Sequence, residues 1–178
     1  MWKKLLIIFF IFYFFAILQN SFLTHFSLFG TTPNLVFILF FLLTFFEKKD
    51  DSYSIIFLAL VAGFFSDIFS YTYLGPSIAL FITIGFLLRG VQSLLKNRKD
   101  SHPFIYFLPL FVVFLLAYSL LLGACLYFLD PNKIAIGFDM RTVFSTIYNI
   151  VVATVLFYFY KKLVQAFADD RQLTLFMK

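Results

Sequence analysis

Long apolar runs alternate with short polar gaps along almost the whole chain. A crossing of the bilayer hydrocarbon needs about 20 mostly apolar residues. The runs predict six transmembrane helices, over residues 5–22, 33–46, 53–73, 77–95, 103–128 and 142–160. The first carries Gln19 and Asn20 at its far end. The second opens at Pro33, a favoured first-turn residue. It covers only about 14 residues, against the about 20 of a full crossing, which predicts an interfacial start or a partly re-entrant segment. Leu74-Gly75-Pro76 ends the third run, because Gly-Pro does not continue a helix. The fourth continues past Arg89 as an amphipathic turn through Val91, Leu94 and Leu95. The fifth contains Pro109, which predicts tilt or a kink. The tail from Leu163 to Lys178 reads as an amphipathic segment along one membrane face.

Charge adds sidedness to this pattern. Lysine and arginine collect in every second gap: Lys3 and Lys4, then Lys48 and Lys49, then Arg89 with Lys96, Arg98 and Lys99, then Lys161, Lys162, Arg171 and Lys178. Of the 14 basic residues, only Lys133 and Arg141 fall in the other gaps. Cytoplasmic loops carry such an excess. The expectation is an all-α polytopic integral membrane protein in a cytoplasmic membrane, with one domain over residues 1–178 and both termini cytoplasmic.

Composition agrees. Hydrophobic residues make up 62% of the chain and charged residues 13%, against about 25% charged in a soluble domain. The net charge of +5 comes from the gaps, so it reads as topology and attraction to lipid headgroups rather than nucleic-acid binding. The N-terminal run resembles a signal peptide but lacks a cleavage site of the A-x-A kind, and is kept as a span. The single cysteine, Cys125, excludes an intrachain disulfide and reads as a small buried thiol. The 30 phenylalanines read as compositional bias at lipid-facing positions that need only be apolar.

Asp67 is the only acidic residue inside an apolar run. It lies about 21 Å along the third helix from its start, in the outer part of the bilayer. An intramembrane carboxylate is costly and faces protein or water. Ala59, Gly63 and Asp67 share a helix face, which suits close helix packing. One reading makes Asp67 a cation site or proton relay. The favoured one is structural: it caps the start of the irregular outer segment, bonds backbone in the Tyr71 to Gly75 turn, or pairs with Arg141. Asn149, in the sixth run, reads as a residue that ties helices together.

The search for chemistry finds no zinc H-E-x-x-H, nucleophile elbow, P-loop or dinucleotide fingerprint. One aspartate cannot form the paired carboxylates of an aspartic protease. His25 and His102 fall in gaps on opposite sides and cannot share a metal. The expectation is a non-enzyme without cofactor or metal. Spans one to three and four to six show no convincing repeat, which argues against an inverted-repeat transporter.

Pro33-Asn34-Leu35 opens the second run. The third reads Gly63-Phe64-Phe65-Ser66-Asp67-Ile68, and Leu74-Gly75 follows. This order and spacing over residues 33–88 resembles the bacterial rod-shape-determining MreD family, which has Pro-Asp-Leu at the first place; Asn34 here replaces that aspartate. The resemblance implies a noncatalytic scaffold subunit of the cell-elongation machinery that makes peptidoglycan. It implies as partners a single-pass MreC-like membrane protein, MreB, RodA and a class B penicillin-binding protein. The family fold is similar to the substrate-binding S components of vitamin ECF transporters, and a small-molecule-binding S component is the alternative function. Pro33, Asn34, Ala59, Gly63, Asp67, Gly75 and Arg141 are the residues expected to matter, through structure or partner binding.

Overall fold

A computed structural model describes residues 2–27, 30–46, 52–70, 73–94, 103–129 and 140–176, without the side chains of 2–4, 52–53 and 163–176. Among these residues there are six α-helices and no strand: α1 (Trp2–Ile17), α2 (Leu35–Phe46), α3 (Ser52–Phe69), α4 (Pro76–Leu94), α5 (Pro103–Leu129) and α6 (Met140–Phe176). A π-helical turn, Leu18–Phe22, extends α1. Residues 5–22 and helices α4, α5 and α6 are long and apolar enough to cross a membrane, whereas α2 and α3 are shorter apolar helices. The protein is an all-α membrane bundle.

The short helix sits at the centre. Helix α2 has 12 residues, about 18 Å of rise, against a hydrocarbon core of about 30 Å. It packs against all five other helices, and every residue from Leu35 to Leu42 is buried. A helix apolar all round belongs inside a bundle. Its ends meet protein rather than lipid, so it need not match the bilayer thickness. Non-helical backbone before it is tolerated at depth because protein surrounds it.

Around α2 the core is aromatic. Nine phenylalanines are fully buried: Phe12, Phe37, Phe40, Phe41, Phe45, Phe81, Phe107, Phe111 and Phe157. Phe41 stands with its ring centroid 5.5 Å from that of Phe107 and 5.4 Å from that of Phe111, and Phe107 lies 4.7 Å from Phe157. These are favourable ring separations. Reading the phenylalanines as lipid-facing filler is therefore correct only in part. It describes Phe10, Phe14 and Phe86, which are exposed, but not the core set. Lipid tails are as apolar as a core, so shape complementarity holds membrane helices together, and flat rings supply it here.

Two boundaries differ from the sequence reading. Helix α3 stops at Phe69 rather than near Tyr73, where the Ser70 hydroxyl donates to the Asp67 carbonyl 3.0 Å away, a local bond that competes with further helix. Helix α6 continues through Phe176, so the tail prolongs the sixth span instead of starting a new element. Helix α5 runs unbroken through Pro109. Helix α4 does pass Arg89: Val91 packs on the core and Leu94 is exposed. Cys125 is free and half-buried. Lys48, Lys49, Tyr71, Lys96, Arg98, Lys99, His102 and Lys133 fall outside the described residues.

Candidate functional site

A helix leaves its first N–H groups without intrahelical partners, and lipid supplies none. Helices α2 and α4 both start inside the bundle, and of the buried polar residues Asp67, Ser77 and Asn149 gather at those two starts, while Thr44 lies near the other end of α2.

At α2 the chain reads Pro33-Asn34-Leu35. Pro33 is buried and Asn34 is the residue before the helix. The Asn34 side-chain oxygen accepts the Phe37 N–H at 2.9 Å, the bond an N-cap residue makes to the third helical position. Asn149 of α6 accepts the Asn34 N–H at 2.7 Å and donates to the Ser145 carbonyl at 2.7 Å. Gln19, carried on the π-turn, accepts the Val36 N–H at 3.3 Å. Three side chains from three elements thus serve one helix start.

At α4 the cap comes from a neighbouring helix. Gly75 precedes Pro76, which takes the first helical position, where a missing N–H costs nothing. Gly75 has φ +119°, a conformation open to glycine and rarely to other residues, and no side chain with which to cap. Asp67 of α3 supplies the acceptor. One carboxylate oxygen accepts the Gly75 N–H at 2.7 Å, the other the Ser77 N–H at 3.0 Å. The carboxylate also sits at the positive end of the α4 dipole. Asp67 is only 2% exposed, so its oxygens are met by backbone N–H groups rather than water.

Gly63, one turn before Asp67, sets the distance. A Cβ there would lie 2.7 Å from the Ile78 nitrogen and closer still to the Ile78 Cα. Backbone meets backbone at this point, and α3 and α4 form the most extensive helix contact. Ala59, a further turn back, is fully buried. Tyr118 of α5 completes the cluster: its hydroxyl lies 3.2 Å from Ser66 Oγ and donates to Ser77 Oγ at 3.3 Å. The Asn34 side chain faces the same hydroxyl, which links the two helix starts.

Of the seven residues singled out in the sequence, Asn34, Gly63, Asp67 and Gly75 share this region, with Pro33 beside Asn34. Arg141 does not join them. It is exposed in the first turn of α6, while the Asp67 oxygens take backbone N–H groups, so the Asp67–Arg141 pairing is replaced by capping. Sequence reasoning missed Tyr118, Ser77 and the capping role of Gln19. Gln19 carried a signal, as a polar residue closing an apolar run; Tyr118 among Phe and Leu carried none. Among the described residues, no group of three or more His, Cys, Asp or Glu could hold a metal.

The cluster is self-contained: donors and acceptors from α2, α3, α4, α5, α6 and the π-turn are spent on one another. The family model described as rod shape-determining protein MreD matches residues 3–167. The chain belongs to the MreD family. No curated protein and no solved structure matches it. MreD-family membership supports a role in rod-shape determination and an association with the membrane and the shape machinery. In this MreD-family bundle, the place of the usual aspartate in Pro-Asp-Leu is an N-cap position, and asparagine caps as well as aspartate.

Proposed function

We propose that the protein is a noncatalytic scaffold subunit of the bacterial cell-elongation machinery. It resides in the cytoplasmic membrane with both termini inside, and it holds a single-pass MreC-like protein through its helices. Through that protein it is tied to MreB, RodA and a class B penicillin-binding protein. The match to the MreD family over residues 3–167 carries this reading. Two features support it. Asp67, Asn34 and Asn149 are spent on helix starts rather than converging on a ligand, as a vitamin-binding S component requires. The basic gaps favour the assigned orientation.

The test is affinity purification of the tagged chain from its own membranes, with cell shape recorded after loss of its gene. A single-pass membrane protein with an external domain should co-purify, and rods should round up. Recovery of an ATPase pair with a bound vitamin, and unaltered rods, would overturn the proposal.

A further inference from the structure

Helices α1 and α6 flank α2 without packing closely on each other. Between them lies a cavity of about 330 Å³, with Ile38, Leu39, Leu42 and Leu43 of α2 as floor, Ile11 and Phe15 on one wall and Leu156, Phe159 and Tyr160 on the other. Its size falls within the range of about 300–1,000 Å³ typical of ligand pockets. The lining is hydrocarbon and aromatic ring save for the Tyr160 hydroxyl. Ile11 and Phe159 are exposed, so the cavity is a groove open toward surrounding lipid.

Charge marks one end of it. Lys161 and Lys162 directly follow Tyr160 and are exposed. Helix α2 runs parallel to α6, since Asn34 meets Asn149 and Phe46 meets Tyr160. Helix α1 runs the opposite way, since Gln19 at its far end meets Val36 at the start of α2. The first turn of α1, which contains Lys3 and Lys4, therefore stands at the same end as Lys161 and Lys162.

We propose that this groove is a binding site for one acyl chain of an anionic phospholipid, whose headgroup is held by Lys161 and Lys162. An apolar slot with cations at its mouth matches the two halves of such a lipid: the chain is confined by shape and the phosphate is drawn by charge. Lysine side chains reach along an apolar surface to place their ammonium groups at headgroup level. A transmembrane helix of a partner is the poorer occupant. The floor, Ile38 to Leu43, spans less than two turns of α2, whereas a crossing helix needs a seam along most of the bilayer. A resident lipid would also fill the gap between α1 and α6 above the α2 residues that form its floor.

The test uses the full chain in detergent, with bound phosphatidylglycerol and phosphatidylcholine counted by native mass spectrometry. The unaltered chain should retain phosphatidylglycerol in preference. Lys161→Gln with Lys162→Gln should reduce that preference about 30-fold. Leu156→Trp, which fills the groove, should abolish retention, while Val113→Trp on the exposed face of α5 should change nothing. A second arm does not depend on a filled groove: Phe159→Trp in a Trp2→Phe background should be quenched by brominated phosphatidylglycerol at lower mole fraction than by brominated phosphatidylcholine. Equal binding of the two lipids, retention unmoved by Leu156→Trp, or quenching without headgroup preference would each overturn the proposal. So would loss of a single-pass membrane protein, rather than of lipid, in the Leu156→Trp variant.

Discussion

Gly63 of α3 lies against the backbone of Ile78 in α4 with no room for a side chain between them. The contact falls one turn below Asp67 and one residue beyond Ser77, so it sets how near the Asp67 carboxylate comes to the start of α4. Close approach and capping are one device. Without Gly63 the two helices stand apart, and without Asp67 the approach leaves the Gly75 and Ser77 N–H groups without their acceptor.

Gly63→Ala should be costly. The atoms in the way belong to backbone, which cannot swing aside as a side chain does, so the expected loss is about 3 kcal/mol, the upper end for overpacking. Gly123→Ala is the control. Nothing lies within 4 Å of a Cβ at Gly123, and alanine favours helix by about 1 kcal/mol over glycine. Thermal unfolding in detergent should show the first variant destabilised and the second unchanged or slightly stabilised.

Asp67→Asn keeps one acceptor oxygen but turns an amide N–H₂ toward a backbone donor. One of the Gly75 and Ser77 N–H groups then loses its partner, at a cost of about 1–3 kcal/mol. Asp67→Ala orphans both and should cost more. Expression level and melting temperature should fall in that order. If Asp67→Asn were fully stable and still captured its partners, the capping account of this residue would fail.

Asn34→Asp should be tolerated within about 1 kcal/mol, since either side chain caps a helix start. Asn34→Ala should cost about 1 kcal/mol as the Phe37 N–H loses its acceptor. Asn149→Leu should cost up to about 1.7 kcal/mol, the upper measured value for an interhelical hydrogen bond in lipid. Unfolding of the three purified variants in one detergent gives the comparison.

The phenylalanines should divide by position. Phe41→Ala removes a fully buried ring in contact with Phe107 and Phe111 and should cost about 3–5 kcal/mol through the cavity left behind. Phe10→Leu, at a position 63% exposed, exchanges one lipid-facing apolar side chain for another and should be nearly neutral. Similar losses in both variants would argue against an aromatic core around α2.

The membrane class, the number of helices and the family resemblance were legible in the order of residues alone. Lipid tolerates only apolar stretches with satisfied backbones, which leaves a pattern of run length and gap charge that needs no third dimension. The Asp67, Gly63 and Gly75 signals were readable for a related reason: a carboxylate in an apolar run, a small residue one turn away and a Gly-Pro break each violate a local rule. What the partners of those residues are was settled by tertiary structure. Arg141 was as reasonable a partner for Asp67 as the Gly75 turn, and the choice depended on how closely α3 and α4 approach. The central place of α2 was equally hidden, because a run of Phe, Leu and Ile reads the same whether it faces lipid or five helices' worth of side chains. Hydropathy cannot separate two environments that are equally apolar; only the packing of rings and the satisfaction of buried N–H groups distinguishes them.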